Sequence, residues 1–408
     1  MQKISLLQPV RRASFRRLWL GMGVSYAGDR LQELAQSWLV AVVTGSALAV
    51  GGVAAVASIP QFFMPLGGVI ADQVDRRKLI VRAQLAGATV SGILALMVWQ
   101  KWVVVWHIYL WALVSGTIWL FARPAYKVVL TESVPYDEVR QAVSLNSITE
   151  TVVMLLISTA GSVLLYKLGL AIAFVLNALS YLAAAGALWR LKDLGRPAGH
   201  TAGNPAPVGL SFRRVLSDLQ DGLVYLLSQP KLLAPLLLTF SMMVAASPAF
   251  GLLASIVQDQ GGSILSLGML GAASGLGTLL GAIFGGGRSV EHDPLGAYAG
   301  FGLLAALSVA GFSLLPLGYI TPLPLAVIGF VMFAQAVWNT TRIRLQAHPA
   351  YQARLQSIAT MAFVVGGALG ALWGGAFVDR WGVISLLWGA AALAGVSIAA
   401  WFLKRRLQ

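Results

Sequence analysis

Apolar stretches of spanning length recur along the chain, separated by short polar breaks. They fall at about 18–43, 47–71, 79–99, 103–122, 141–166, 168–190, 231–258, 263–287, 294–318, 321–345, 355–378 and 381–403. A helix needs about 20 residues to cross the hydrocarbon of a bilayer, so each stretch is predicted to be a transmembrane helix. Breaks as short as Thr44-Gly45-Ser46 and Asp379-Arg380 make neighbouring spans antiparallel hairpins. One break is long, 191–230, and its Gly-, Pro-, Ala- and Asn-rich part, Gly195 to Gly209, reads as disordered. Beyond it, Phe212, Leu216, Leu219, Leu223 and Leu227 recur at helical spacing opposite Arg213, Arg214, Asp218 and Asp221. That pattern predicts an amphipathic helix lying on the membrane surface and tethering the two halves. The expected architecture is all-α and integral to the membrane: twelve transmembrane helices in two six-helix bundles, 1–190 and 231–408, joined by a cytoplasmic linker at 191–230. Doubled bundles of this kind carry a substrate site near the midplane and work by rocking one half against the other.

Composition narrows the class. Of 408 residues, 58% are hydrophobic and 11% charged, against about 25% charged in a soluble domain. A soluble multidomain enzyme is excluded, because too few charges remain to cover its surface. The net charge of +14 has a positional explanation. With both termini cytoplasmic, 25 of the 29 Lys and Arg fall in cytoplasmic segments; only Lys101, Lys167 and Arg380 fall outside, and Arg30 lies within the first span. This is a positive-inside signal, with contact to anionic lipid headgroups, and no nucleic-acid partner is needed to account for it. The basic stretch before the first span reads as a cytoplasmic cap and not a cleavable signal. There is no cysteine, and the four histidines are scattered, so no cofactor or metal is expected. The absence of Gly-x4-Gly-Lys-(Ser/Thr) argues against ATP-driven work, and no nucleophile–base pair marks an enzyme.

A charge at mid-bilayer costs roughly 2.5–3.5 kcal/mol even on the lenient insertion scale, so it should face protein or a wet cavity. The first span carries Asp29, Arg30 and Glu33, and the fifth carries Glu150. At about 100° per residue, Asp29 and Glu33 share a face with Gln32 and Gln36, a stripe too polar for lipid that is expected to line the substrate cavity together with Arg30. Arg30 stands three residues before Glu33 and can pair with it. Two acids beside one base make Asp29 and Glu33, with Glu150, candidates for proton or cation binding; a neutralised cluster holding helices together is the structural alternative. Asn146 precedes Glu150 by one turn. Trp38, Met243, Phe333 and Trp338, with Gln335 and Asn339, are candidates for lining a cavity that takes an amphiphile. The runs Gly271-x3-Gly275, Gly277-x3-Gly281-x3-Gly285 and Gly366-x3-Gly370-x3-Gly374 are expected to pack helices closely.

After the second span comes Gly68-Val-Ile-Ala-Asp72-Gln-Val-Asp-Arg76-Arg77-Lys78. It resembles the loop 2–3 signature of the major facilitator superfamily, with Gln73 in place of the usual base and Asp75 where glycine is usual. Thr44-Gly45-Ser46, Arg123-Pro124-Ala125, Val134-Pro135 followed by Ala142-x-Ser144-Leu145-Asn146, and Phe174-x3-Ala178-x-Ser180-Tyr181 are similar to the macrolide-efflux and siderophore-export branch. The resemblance implies a major facilitator fold in an inner membrane, probed by alternating access. It implies a conformational latch at Gly68, Asp72, Arg76 and Arg77, and a monomer exporting an amphiphilic small molecule in exchange for protons. Arg123 stands where the branch often has an acidic or small residue able to pair with Arg76. The fifth span keeps Gly161 but lacks the Gly-Pro pair of many drug/proton antiporters. A uniporter or a metal or metabolite exporter of the same fold, and a non-transporting receptor or scaffold, are the alternatives.

Overall fold

The structure, a computed structural model of the chain, describes residues 6–63, 70, 74–191, 212–287 and 294–407. Gly68, Asp72, the linker stretch 195–209 and the loop 288–293 lie outside the described residues, as do the side chains of Phe212, Arg213, Arg214, Leu216 and Asp218. The chain is helical: α1 (Ala13–Thr44), α2 (Ala47–Ser58), α3 (Arg76–Trp99), α4 (Val105–Glu132), α5 (Val139–Leu156), α6 (Ala171–Trp189), α7 (Phe212–Leu227), α8 (Pro230–Ala246), α9 (Ile264–Gly287), α10 (Pro294–Leu314), α11 (Pro322–Gln346), α12 (Pro349–Trp381) and α13 (Leu386–Leu407). A π turn at Ile157–Gly161 carries α5 into a further helix, Ser162–Leu168. Among the described residues, ten helices are long and apolar enough to cross a membrane, and Ala47–Phe63 is a shorter apolar stretch. The 32-residue α1 carries Asp29, Arg30 and Glu33, and these charges keep its hydropathy below that of the other long helices. The Asp379-Arg380 pair, which the sequence pattern puts in a connector, continues α12 as far as Trp381.

The chain divides into two compact units: residues 1–36 with 59–211, and residues 37–58 with 212–408. The boundary falls inside α1, and α2 goes with the second unit. In the first unit a core of Phe15, Leu18, Met22, Ile80, Val129, Leu130, Leu145 and Leu188 joins α1, α3, α4, α5 and α6. In the second, Tyr298, Trp338 and Leu238 pack with Phe284 and Phe301. Backbones there approach closely: a Cβ on Gly277 or Gly281 would stand 1.8 Å from Ala326 O or 2.1 Å from Phe330 O, so α9 lies flush on α11. Helix α7 docks through Leu226 against Leu232, Ile343 and Leu355. Tyr225 stacks on Tyr351 at 4.2 Å, and Asp221 reaches Arg354 at 3.6 Å.

Candidate functional site

The polar stripe of α1 meets a polar face of α6 inside the first unit. Tyr181 OH and Asn177 Nδ2 both donate to Asp29 Oδ1, the second at 3.3 Å. Asn177 Nδ2 also donates to Gln32 Oε1 at 2.7 Å, and Ser180 Oγ donates to the Asn177 carbonyl at 2.8 Å. Gly28 makes this approach feasible, since a Cβ there would stand 2.3 Å from Ser180 Oγ and 2.4 Å from Asn177 Oδ1. The Tyr181 ring sits against Gly87 of α3 in the same way. A third helix continues the seam, with Ser25 Oγ donating to Gln84 Oε1 at 3.1 Å. In hydrocarbon no water satisfies such groups, so polar side chains on neighbouring helices must pair with one another. The seam keeps unspent capacity: Gln32 Nε2 and Gln36 Oε1 are buried, one turn apart, and without a partner among the described residues.

The other charges of α1 point elsewhere. Arg30 pairs with Glu33 on the exposed side and lies 5.1 Å over the Tyr26 ring. Asp29 and Glu33 are therefore separated by their partners, although they share a helical face. Glu150 on α5 is exposed and accepts from Asn146 Nδ2 at 2.8 Å. Asn146 Oδ1 in turn accepts from Tyr126 OH of α4 at 2.6 Å. Trp38 belongs to the part of α1 that goes with the second unit and is half-buried.

The remaining residues expected to line a cavity lie in the second unit. Asn339 Nδ2 donates to Thr239 Oγ1 at 2.8 Å, and Asn339 Oδ1 accepts from Tyr298 OH at 2.9 Å. Gln335 Nε2 donates to the Tyr298 carbonyl at 3.3 Å, and Gln335 Oε1 lies 3.2 Å from Thr239 Oγ1. Trp338 stacks on Phe301 at 4.9 Å beside Tyr298 and Phe284. Met243 is buried against α12 at Gly366, whereas Phe333 is 39% exposed. The structure thus brings Gln335, Trp338 and Asn339 together, and places Met243 and Phe333 apart from them.

At the loop before α3, Asp75 caps the helix by accepting from Lys78 N at 3.0 Å. Arg76 is buried and pairs with Glu132 at the end of α4, 2.9 Å away. Arg77 donates to the carbonyls of Leu188 and Trp189, at 3.1 and 2.8 Å, and so caps the end of α6. Sequence reasoning missed Glu132, Asn177 and Tyr181 as partners. Glu132 carried a signal, as an acid at the very end of an apolar span, while Asn177 and Tyr181 are ordinary residues of a hydrophobic helix until Asp29 is placed beside them.

The profile of a family described as transmembrane secretion effector matches residues 4–407. Macrolide efflux protein A of Streptococcus pyogenes is 23% identical over 157 residues; the matched segment spans 38% of this chain and 38% of that protein. Among solved structures, the nucleoside transporter NupG superposes with a TM-score of 0.73 at 16% identity, covering 95% of this chain and 97% of NupG. A bacterial homolog of the human lysosomal transporter Spinster, inward-facing and unoccupied, gives 0.68 at 14% identity, covering 98% of each chain. At such identities these neighbours establish the fold.

Proposed function

The chain belongs to the transmembrane secretion effector family, within the major facilitator superfamily of transporters, and on that premise we propose that it exports an amphiphilic small molecule by proton-coupled antiport and alternating access. The observation that carries the reading is the Asp29 seam: a carboxylate inside a spanning helix, held by Tyr181 and Asn177, beside amide groups with hydrogen-bonding capacity to spare. A fixed structural contact would spend that capacity; a group that takes up and releases a proton needs partners able to serve both of its forms. Asp29 is the proton carrier in this reading. Glu33, held by Arg30, and Glu150, held by Asn146, are accessory acids on the exposed side of the same unit. The similarity to a macrolide efflux protein supports an amphiphile as cargo. The distribution of basic residues supports cytoplasmic termini in a bacterial-type inner membrane. The test is flux from proteoliposomes loaded with a macrolide and a panel of amphiphilic dyes, with and without a pH gradient. Gradient-driven export of at least one probe is expected, falling to background in Asp29→Asn while the variant keeps its melting midpoint. Gradient-driven export that persists undiminished in Asp29→Asn would remove the carboxylate from the mechanism.

A further inference from the structure

In sequence α2 belongs with the first six spans, yet it is packed in the second unit, along α12. Two features of that contact stand out physically. The first is the absence of side-chain thickness between the backbones. A Cβ on Gly51 would stand 2.3 Å from Ala371 O, and one on Gly375 would stand 2.6 Å from Leu48 Cα. The second lies at the start of α2, the end away from the basic loop that precedes α3. There the Asp379 carboxylate, from α12, accepts from Ala47 N at 2.5 Å, Leu48 N at 3.1 Å and Ser46 Oγ at 2.6 Å. The first N–H groups of a helix have no partner within it and carry the positive end of its dipole. Helix α2 is capped by a residue more than 330 positions away in sequence. It also carries its own cap, because Ser46 Oγ accepts from Ala49 N at 3.1 Å.

We propose that Asp379 is a releasable clasp: it holds the start of α2 on α12 in one conformation of the transport cycle and lets go in the other. The double cap is what makes release feasible. When Asp379 withdraws, Ser46 continues to cap α2. Water reaches this helix end through Asp379 and Leu48, which are exposed, and takes over the N–H groups of Leu48 and of Ala47, the latter buried while the contact is closed. The glycine seam beneath has no interdigitated side chains to disengage at Gly51 and Gly375, so the two helices can part or slide without repacking a core. The two caps serve different N–H groups, Asp379 those of Ala47 and Leu48 and Ser46 that of Ala49, so the local cap survives when the distant one leaves.

The proposal rests on the alternating-access reading, but its test needs no cargo, so failure of the clasp is distinguishable from failure to find a substrate. The chain contains no cysteine, and Val50, 3% exposed beside the seam, serves as a single-cysteine reporter (Val50→Cys). In nanodiscs the labelling rate by a membrane-impermeant maleimide reads the open fraction. Losing an N-cap to alanine is worth roughly tenfold in an equilibrium, so adding Asp379→Ala is expected to raise the labelling rate about tenfold. Gly375→Ala, which inserts a methyl group against Leu48 with the carboxylate intact, is expected to raise it in the same direction and keeps the test alive should Asp379→Ala fold poorly. Folding is checked by size-exclusion chromatography and melting midpoint. Labelling that stays at the parental rate in a folded Asp379→Ala or Gly375→Ala protein overturns the clasp.

Discussion

In the first unit a line of buried polar groups ends on a carboxylate, Asp29, and on a Gln32 amide nitrogen with no partner among the described residues. In the second unit a line of similar length, through Tyr298, Asn339, Thr239 and Gln335, holds no acid, and each side chain finds its partners within the group. The aromatic rings of Trp338, Phe301 and Phe284 close around the second network, whereas Asp29 and Arg30 are only partly buried and Glu33 is open. Both occur on helices that read as transmembrane, so polarity inside a span does not by itself mark a transport site. What separates them is spent against unspent hydrogen-bonding capacity. A saturated network rigidifies and specifies helix packing, while a partly satisfied one is costly unless something else occupies it.

The comparison is tested most severely in the saturated network. Asn339→Leu leaves Tyr298 OH without its acceptor in an apolar interior, while Thr239 Oγ1 keeps the Pro235 carbonyl and Gln335 Oε1. The loss costs about 2 kcal/mol at the usual penalty for an orphaned group. The expected result is a clear fall in melting midpoint in detergent, with gradient-driven flux per folded molecule unchanged. A variant that melts normally but loses coupling would move the transport chemistry to the second unit and reverse the contrast.

Gly28→Ala probes the other side with a smaller energy. The added methyl group would meet the ends of two side chains, Ser180 Oγ and Asn177 Oδ1, which can rotate away, and Ser180 Cβ at 3.0 Å, which needs a shift of only a few tenths of an ångström. The loss of stability is therefore about 1 kcal/mol, the low end for an overpacked interior. The rotation withdraws Asn177 from Asp29 and Gln32, however. Flux is therefore expected to fall several-fold in proteoliposomes while the melting midpoint scarcely moves, the inverse of Asn339→Leu.

How far these features are legible in the sequence follows from the range of the interaction that creates them. The spanning helices and the polar stripe of α1 are local patterns of hydropathy, and they stand in the chain as written. The Arg30–Glu33 pair is also local, three residues apart on one helix. Asn177 and Tyr181 are different: nothing in a hydrophobic helix marks them until Gly28 brings its backbone alongside α1. Gln335, Trp338 and Asn339 are expected as cavity groups because spacing gives a shared face; what packs against that face here, Tyr298 with Phe284 and Phe301, is not written in the spacing. The residues 379–380 look like a turn because a charged pair interrupts an apolar run, yet α12 continues through them. The carboxylate at that end has a helix start to bind, a partner that no spacing rule connects to it.

The smallest effect is the most discriminating. Tyr181→Phe removes one hydroxyl, leaves the ring seated against Gly87, and deletes the bond to Asp29 Oδ1. Hydrogen bonds between membrane helices average about 0.6 kcal/mol, so the melting midpoint should shift by no more than a degree or two. If Asp29 is merely a packing group, so slight a loss should also leave flux intact, because Asn177 still donates to the same oxygen. If Asp29 carries the proton, the hydroxyl is one of the two donors that serve its ionised form, and its removal changes the pH dependence of flux without changing how much protein is folded. A pH profile of gradient-driven export that superposes on the parental one, at equal folded protein, would place Asp29 with the saturated network of the second unit and end the distinction drawn between them.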